Sequence, residues 1–329
     1  MNRGPNRRPR VAVTGASGFI GRRLLARMVG DGGEVVALSR SAVDVAGVRR
    51  VPLCDYTDEA ASTRALQGVD VLVHLAGRAH VTADGGDAVG LFQRGNVDAT
   101  LAMARACVAA RVRRFVFISS IGVHGPPVAG RPFGAADAPN PVEPYALSKW
   151  QAEQGLAAIG VSSGLEIVVL RPPLVYGPGA PGNYHRLLKL VARAPLLPLG
   201  GLRAPRSFIH LDNLVDAITL AVRHPAVAGR TFTVCDGRDL SVAEVVRELA
   251  GVLRPRRSPV IDVAPWLLAA AASLLGRRAA IDKLAAALQV DASEFVLATG
   301  WRPPVDPVSG LRESARQFRA SGGGRGACP

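Results

Sequence analysis

The sequence feature that most constrains the fold is an apolar run followed by three evenly spaced glycines near the N-terminus. Residues 10–14 read Arg-Val-Ala-Val-Thr, and Gly15, Gly18 and Gly21 follow them. The run predicts a short strand, and the stretch from 20 to 29 predicts a helix. In such a unit the first glycine permits a tight turn, the second lets the backbone approach a pyrophosphate, and the third lets helix and strand pack closely. The unit therefore predicts a dinucleotide site whose first contacts are Gly15, Ser17, Gly18, Phe19 and Ile20.

Further strand-like segments alternate with helical ones along the first half of the chain. The predicted strands cover residues 10–14, 34–38, 51–54, 69–75, 114–120 and 165–171, and a long helix is predicted over 87–110. This alternation predicts an α/β fold with a Rossmann-type, doubly wound parallel sheet and helices on both faces. Ligands of such sheets bind at the carboxyl ends of the strands.

The alternation of long strand-like and helical segments stops after residue 171, where a loop rich in Pro and Gly begins. We therefore divide the chain into a dinucleotide-binding domain over 10–172 and a smaller C-terminal α/β substrate-binding portion over 173–320. A length of 329 residues is enough for two such closely joined units. Residues 1–9 and the glycine-rich residues 321–329 are expected to be flexible tails.

The chain is strongly basic, with a formal net charge of +14 and a pI of about 10.9. Such a charge is typical of nucleic-acid binding, but the arginines occur in scattered pairs and form no basic helix or aromatic-interleaved patch. We therefore expect the positive charge to serve an anionic small ligand, and we expect no nucleic acid as a partner.

The four cysteines have neither the spacing of a metal site nor the density of a disulfide framework, so no metal is expected. Cys54 and Cys235 lie in apolar runs and are predicted to be buried thiols. Residues 1–10 do not resemble a signal peptide, and the apolar stretch 266–275 is too short to span a bilayer. We interpret that stretch as a core helix, with contact to a membrane surface as the alternative, and expect a cytoplasmic protein.

Three further strand ends carry residues suited to a dinucleotide. The second strand ends in Ser39-Arg40, where an NAD-selective site usually has an acidic residue for the ribose 2′-hydroxyl. A hydroxyl and a guanidinium suit a 2′-phosphate, so the sequence predicts a preference for NADP(H), with NAD(H) as the alternative. Asp55 after the third strand is placed to meet the adenine. The residues after the fourth strand that are predicted to pass close to the cofactor are Leu75, Ala76 and Gly77.

Tyr145 and Lys149 begin a helical stretch after a Pro-rich loop. At a spacing of four residues both side chains lie on one face of a helix. A free Tyr titrates near pH ~10, and a neighbouring ammonium would bring its pKa toward neutrality. The pair therefore predicts a tyrosine that exchanges a proton with a substrate oxygen.

Eight motifs together resemble the extended short-chain dehydrogenase/reductases of the nucleotide-sugar epimerase/dehydratase superfamily. They are the segments 14–21, 74–77, 117–120, 145–149, 171–178, 206–212 and 300–303, together with Asn96. The resemblance runs from about residue 11 to residue 319. It implies a nicotinamide-dependent enzyme in which Tyr145 is the acid/base, Lys149 binds the nicotinamide ribose and tunes the Tyr, and Ser120 hydrogen-bonds the reacting oxygen.

The same resemblance extends the site to four further residues. Asn96 would help to organise the active site, and both Asn96 and Pro172 would lie among the cofactor contacts. Asn183 and Arg206 would contact the diphosphate of a UDP-sugar, for which a guanidinium is well suited.

Two departures from the family pattern bear on the reaction. Sugar 4,6-dehydratases have an Asp-Glu pair directly after the Ser, whereas Ile121-Gly122 stand here, which argues against elimination of water. Ser39-Arg40 replaces the acidic residue of an NAD site. This favours a reductase, which consumes NADPH, over an epimerase, which retains its NAD.

The expected function is therefore reduction at C4 of a nucleotide sugar. The chain is similar to a subgroup that reduces a UDP-4-keto-6-deoxy-N-acetylhexosamine in bacterial polysaccharide biosynthesis. The alternatives are a UDP-glucose or UDP-N-acetylglucosamine 4-epimerase with tightly bound NAD, a reductase of a non-sugar ketone, and a non-catalytic dinucleotide sensor. The intact Ser120, Tyr145 and Lys149 argue against the sensor, and Asn183 and Arg206 argue against a neutral substrate. Many relatives are homodimers, but no feature of the sequence decides whether this chain is one.

Overall fold

The computed structural model describes residues 8–78, 88–127, 130–256, 259–274, 276 and 278–322. Its strands are β1 (Val11–Thr14), β2 (Val35–Ser39), β3 (Arg49–Pro52), β4 (Val71–His74), β5 (Arg114–Ile118), β6 (Glu166–Arg171), β7 (Leu174–Tyr176), β8 (Pro205–Arg206), β9 (Phe208–His210), β10 (Thr231–Thr233) and β11 (Leu240–Ser241). Its α-helices are α1 (Phe19–Gly30), α2 (Glu59–Ala65), α3 (Ala88–Phe92), α4 (Ala99–Ala109), α5 (Pro144–Ser163), α6 (Gly182–Arg193), α7 (Leu211–Arg223), α8 (Val242–Leu253), α9 (Pro265–Leu274), α10 (Arg278–Ala285), α11 (Ser293–Thr299) and α12 (Pro307–Ala320). Most of the two predicted tails lies outside the described residues.

One parallel sheet of seven strands organises the molecule, in the order β10-β6-β5-β4-β1-β2-β3. The chain runs outward from β1 to β3, returns to the centre at β4, and then runs outward in the other direction. The strand order therefore reverses between β1 and β4, which is where doubly wound sheets bind their ligands. The predicted Rossmann-type α/β fold is confirmed.

Hydrophobic layers cover both faces of the sheet, because side chains alternate between the faces along each buried strand. On one face Val13 packs in a cluster with Leu25 of α1 and Ile218 of α7. On the other face Leu72 packs in a cluster with Met103 of α4. The strands are thus held between helices, and the carboxyl ends of the strands are left open for a site.

The C-terminal half of the chain contributes to both portions of the fold. Its strand β10 pairs with β6 at the edge of the sheet, and its helix α7 packs against α1. A separate apolar cluster joins α6, α8 and α12 and forms the core of the smaller portion. β10 and α7 follow residue 172 but pack with the seven-stranded sheet and with α1, so elements from both sides of the predicted boundary build the sheet layer.

Two expectations about burial are wrong. Cys54 is exposed and not buried, because β3 ends at Pro52, two residues earlier than predicted. Cys235 is buried as expected. The apolar stretch 266–275 is not a core helix, because Trp266, Leu267 and Leu274 of α9 are exposed. Among the described helices, none has both the length and the apolarity that a membrane span requires.

Candidate active site

The glycine-rich turn after β1 meets the loop after β4 at the reversal of strand order. Gly15 has a φ of +64°, and a Cβ built on it would lie 2.7 Å from the carbonyl carbon of Leu75. A Cβ on Gly21 would lie 2.2 Å from the carbonyl oxygen of Gly15, so α1 packs directly on the turn. A side chain fits at neither position. The tight turn and close packing predicted for these glycines are therefore confirmed.

A cleft of about 490 Å³ opens beside this turn. The predicted cofactor residues that line it are Gly15, Ser17, Gly18, Arg40, Asp55, Leu75, Ala76 and Gly77. α1 begins at its edge with half-buried Phe19 and Ile20, and its first turn contains no acidic residue that would repel an anion. Backbone N–H groups at such a helix start bind phosphate. The cleft therefore fits a dinucleotide with its pyrophosphate at the start of α1.

The end of β2 holds the two residues predicted to select the cofactor. Ser39 is buried, and its hydroxyl donates to the backbone oxygen of Ser41 at 2.7 Å. Arg40 is exposed and lines the cleft, and its backbone oxygen accepts from the guanidinium of Arg50 at 2.5 Å. The hydroxyl proton of Ser39 is thus already used, while Arg40 lines the cleft at the end of β2 with Arg50 bound to its backbone.

Asp55 and Tyr56 line the same cleft after β3. One carboxylate oxygen of Asp55 accepts from the backbone N–H and from the hydroxyl of Thr57, both at 2.8 Å. These hydrogen bonds, the backbone one first, hold the pKa of Asp55 below its usual range. The hydroxyl of Tyr56 donates to the backbone oxygen of Leu38 at 2.8 Å. Asp55 therefore stays ionised and can accept a hydrogen bond from an adenine amino group.

Behind the cleft, His74 at the end of β4 is fully buried between two threonines. Thr100 donates its hydroxyl proton to the backbone oxygen of Asn96 at 2.6 Å, so at 3.1 Å from Nε2 of His74 it can only accept. Nε2 therefore carries the ring proton, and Nδ1 accepts from the hydroxyl of Thr14 at 2.9 Å. Burial, and then the charge of Lys149, lowers the pKa of His74 to about 3, so the ring is neutral.

With the ring proton of His74 on Nε2, the buried hydrogen bonds run in one direction, from Ala76 to Asn96. The backbone N–H of Ala76 donates to Thr14 at 3.3 Å, and Thr14 then donates to His74. His74 donates to Thr100, which donates to the backbone of Asn96. His74 therefore connects the cofactor loop after β4 to the helix that carries Asn96.

Asn96 lies in a π-helical segment, Gln93–Asp98, between α3 and α4. The long helix predicted over 87–110 is present over its described residues, but with this interruption, and residue 87 lies outside them. The side-chain oxygen of Asn96 accepts from the N–H of Arg78 at 2.7 Å, and its nitrogen donates to the oxygen of Arg78 at 3.1 Å and to the hydroxyl of Ser148 at 2.9 Å. Ser148 donates to the backbone oxygen of Tyr145 at 2.7 Å. π-Helical segments often serve this kind of inward placement of a side chain.

The first two turns of α5 carry Tyr145 and Lys149, so their predicted helical spacing is confirmed. Ser120 begins the turn after β5, where its hydroxyl accepts from the N–H of Gly122 at 3.1 Å. A Cβ built on Gly122 would lie 3.4 Å from the oxygen of Ser120 and 3.5 Å from the Cβ of Ala146. Ser120 therefore lies against the turn of α5 that holds Tyr145.

The electrostatics of the Tyr–Lys pair differ from the sequence expectation. The sequence predicts that the charge of Lys149 lowers the pKa of Tyr145, but burial raises this pKa to about 12. Lys149 donates from Nζ to the backbone oxygen of Ile118 at 2.9 Å and lies 4.6 Å from the ring centre of Phe117. Its burial lowers its own pKa to about 8, which the charge of Glu153 partly offsets. Tyr145 is therefore protonated at neutral pH, which suits a proton donor.

The lowered pKa of Lys149 predicts that dinucleotide affinity depends on pH. A protonated Lys149 favours an anionic ligand, and the free protein loses this proton as the pH rises through about 8. We expect the dissociation constant to be nearly constant from pH ~7 to ~8 and then to rise up to roughly tenfold per pH unit. Equilibrium titrations of the dinucleotide across this range measure the slope. Lys149→Met should bind weakly at every pH without this slope, and an unchanged slope in that variant would assign the titration to another group.

A buried ion pair supports the loop that carries Ser120. Arg171 at the end of β6 and Glu153 of α5 are both buried, and their closest atoms lie 2.5 Å apart. Ser119 donates its hydroxyl proton to the same carboxylate, and Arg171 also donates to Nε2 of His124 at 3.1 Å. Ser119, the residue before Ser120, is thereby attached to α5.

The residues predicted to bind the substrate lie on the smaller portion and at its border. Arg206 is half-buried and donates from one nitrogen to the backbone oxygens of Lys283 and Ala286, both at 2.7 Å. Burial lowers the pKa of Arg206, and no acidic side chain of the described ranges pairs with it. Asn183 is exposed in the first turn of α6. Pro172, a predicted cofactor contact, follows β6, and its backbone oxygen accepts from the N–H of Ile121 at 2.9 Å. A common ligand for Asn183 and Arg206 stays a prediction.

Sequence reasoning missed several residues that build this site. They are Arg50, Tyr56, Thr100 and Glu153, with His74 and Ser148 noted only as parts of motifs. Ser148 alone carried a local signal, because it lies between Tyr145 and Lys149. The others act through partners that are distant in the sequence, such as Glu153 with Arg171.

Comparisons with known proteins agree with this geometry. Residues 11–235 match the NAD dependent epimerase/dehydratase family. The chain is 34% identical over 312 residues to a UDP-glucose 4-epimerase of Vibrio cholerae, across 94% of this chain and 95% of that protein. It is 31% identical over 269 residues to a 2-alkyl-3-oxoalkanoate reductase of Stenotrophomonas maltophilia (strain K279a), across 77% of this chain and 78% of that protein.

A solved structure has the same architecture. MoeE5 in complex with UDP-glucose and NAD matches with a TM-score of 0.77 at 25% identity, across 95% of this chain and 99% of that one. The dinucleotide cleft, the Tyr–Lys helix and these likenesses agree with the motifs quoted from the sequence. The protein is therefore an enzyme of the NAD dependent epimerase/dehydratase family, with the extended short-chain dehydrogenase/reductase fold.

Proposed function

We propose that the protein is an NAD(P)-dependent oxidoreductase that acts at C4 of a nucleotide sugar and reduces a UDP-4-keto-(6-deoxy-N-acetyl)hexose. The observation that carries this proposal is the placement of Tyr145 and Lys149 one turn apart at the start of α5, with Ser120 against the same turn and the pKa of Tyr145 raised by burial. Reduction of a ketone needs a proton donor at the oxygen when the carbon receives a hydride. A half-buried, protonated Tyr meets that need without first being ionised.

In this proposal a nicotinamide cofactor bound in the cleft supplies the hydride. Ser120 holds the ketone oxygen by a hydrogen bond, and Tyr145 transfers its phenolic proton to that oxygen. Lys149 stabilises the phenolate that remains, because an adjacent ammonium favours the charged form. The ketone thereby becomes a hydroxyl group on the sugar, and Tyr145 then regains its proton from solvent.

Two charged groups support the proposed ligands. Arg40 lines the cleft at the end of β2, and its exposed guanidinium suits the 2′-phosphate of NADPH. Arg206 is partly buried on the substrate side and pairs with no acidic side chain of the described residues, so an anionic diphosphate would offset its desolvation. Asn183 would add a neutral contact to the same diphosphate.

A UDP-sugar 4-epimerase is the second candidate, and the likeness to the Vibrio cholerae 4-epimerase favours it. An epimerase would first use Tyr145 as a base, which requires nearby positive charge to lower its raised pKa. Reduction of a non-sugar ketone is the third candidate, and the likeness to the Stenotrophomonas maltophilia oxoalkanoate reductase favours it.

The first experiment identifies the dinucleotide that the denatured protein releases and compares its affinities for NADPH and NADH. We expect a protein purified empty that prefers NADPH, and we expect Arg40→Ser to reduce that preference roughly 10- to 100-fold. Arg49→Ser is the matched control, because this neighbouring exposed Arg does not line the cleft. Tightly held NAD, or an equal effect of both variants, would contradict the assigned cofactor.

The second step separates the three reactions. The reductase predicts NADPH consumption with a UDP-4-keto-6-deoxy-N-acetylhexose. The epimerase predicts interconversion of UDP-glucose and UDP-galactose, or of their N-acetylated forms, without net NADPH consumption. NADPH consumption with 3-oxoalkanoates but not with UDP-sugars would favour the third candidate.

A further inference from the structure

Helix α9 exposes an apolar surface that the proposed reaction does not use. Trp266 is 69% exposed and Leu274 is 90% exposed, and Leu267 between them is 45% exposed. Ala272 is the one buried residue among the described positions of this helix. Residues 263–276 contain no charged side chain. A helix of this composition is expected in a core, so its exposure indicates that something else covers it.

Basic residues flank this apolar helix on both sides. The sequence places an Arg pair at 256–257 before α9 and another at 277–278 after it. Arg256 and Arg278 are exposed. Residues 254–285 contain six basic and two acidic side chains in total. The ion pair between Arg278 and Asp282 is long, at 3.6 Å, and exposed, so it neutralises little of this charge.

We propose that α9 binds the surface of an anionic lipid bilayer. Trp and Leu side chains on an uncharged helix enter the boundary between headgroups and acyl chains, and flanking Arg side chains bind anionic headgroups. Trp266, Leu267 and Leu274 form the inserted surface, and Arg256 and Arg278 form the headgroup contacts. At about 1.5 Å per residue the helix is far too short to cross the bilayer, so it lies in the interface.

Charge favours a membrane over a second copy of this chain as the partner. A symmetric contact of two copies through α9 would bring the same surface of each copy together, with its Arg pairs. The chain has a net charge of +14, so such a contact would add to the repulsion between the copies. An anionic bilayer complements both the apolar helix and its basic flanks.

The proposed membrane surface adjoins the substrate side of the molecule. α10 packs against α9. The end of α10 is held by Arg206, and Lys283 of α10 pairs with Glu143, which directly precedes α5 and lies two residues before Tyr145. Contact through α9 therefore brings the substrate portion close to the lipid surface, whichever reaction the enzyme catalyses.

Vesicle binding by matched variants tests the proposal. We expect the wild-type chain to sediment with vesicles of equal parts phosphatidylglycerol and phosphatidylcholine, and much less with phosphatidylcholine alone. Leu274→Asp should lower the partition coefficient roughly tenfold or more, because it removes an inserted side chain and adds a negative charge. Leu297→Asp is the control, because Leu297 is a similarly exposed Leu, at 84%, near the end of α11. Dinucleotide binding by both variants checks that they are folded.

Trp266 offers a second, direct readout. Its emission should shift to the blue when anionic vesicles are added, as the indole leaves water. Trp266→Phe should keep most of the vesicle binding but lose the shift, because Trp301 is buried in the core and Trp150 of α5 is half-buried against Arg171.

Three outcomes would overturn the proposal. The first is no binding to anionic vesicles. The second is binding that Leu274→Asp weakens no more than Leu297→Asp does, which would mean that the scattered arginines act alone. The third is a dimer in solution that Leu274→Asp converts to a monomer without vesicle binding, which would mean that a second copy covers α9.

Discussion

Replacement of Tyr145 by Phe is expected to lower turnover by roughly 10³-fold and to leave dinucleotide affinity nearly unchanged. The change removes only the phenolic oxygen that gives its proton to the substrate. The ring keeps its place at the start of α5, where its neighbour Phe92 lies 6.0 Å away between ring centres. Steady-state turnover and equilibrium binding of the dinucleotide, measured on the same preparation, separate the two effects.

Tyr56→Phe is the matched control for this prediction. It removes the same atom from a Tyr that also lines the dinucleotide cleft, but whose hydroxyl donates to the backbone of Leu38. We expect this variant to change turnover by less than about tenfold, since it loses one neutral hydrogen bond remote from the reacting oxygen. Turnover of Tyr145→Phe within the range of this control would mean that another group donates the proton.

Replacement of Glu153 by Gln is expected to lower the free energy of unfolding by about 3–5 kcal/mol. Glu153 and Arg171 are buried together, and the carboxylate also accepts from Ser119. An amide has nearly the same shape but no charge, so the guanidinium of Arg171 would remain buried without a counter-ion. Removal of one partner of a buried pair costs more than the pair itself contributes, because the other charge stays desolvated.

Denaturant unfolding of Glu153→Gln beside Glu59→Gln measures this effect. Glu59 pairs with Arg105 at 2.6 Å, but both side chains are about half exposed, so loss of that pair should cost no more than about 1 kcal/mol. The folded fraction of Glu153→Gln should also show reduced turnover, because Ser119 is released beside Ser120. Equal destabilisation by the two variants would mean that water reaches the buried pair.

Local sequence patterns were sufficient to predict the elements that form the dinucleotide cleft. Gly15 is required by its positive φ and Gly21 by its contact with the carbonyl oxygen of Gly15, both within this turn, and strand alternation predicts the order of the elements. The loops after β1, β2, β3 and β4 therefore appear where the sequence predicts them, with strand ends shifted by up to two residues. The membership of the chain in its family follows from the same local motifs.

Features that depend on what packs against a residue were not predictable from pattern. The pKa of Tyr145 rises because its surroundings exclude water, whereas the sequence shows only that Lys149 is four residues away. The π-helical segment around Asn96 is stabilised by hydrogen bonds to Arg78 and Ser148, which are distant in sequence. Hydropathy likewise predicts that α9 avoids water, but it does not determine which surface covers it.

The amino-acid sequence by itself determined the α/β class, the glycine turn, the Tyr–Lys pair and the family, because each depends on neighbours within a few residues or on a repeating period. Only the tertiary structure decided the protonation of Tyr145, the direction of the hydrogen bonds through His74, the burial of Glu153 with Arg171 and the exposure of α9. Desolvation and ion pairing are set by groups brought together from distant parts of the chain, and local sequence does not encode their distances.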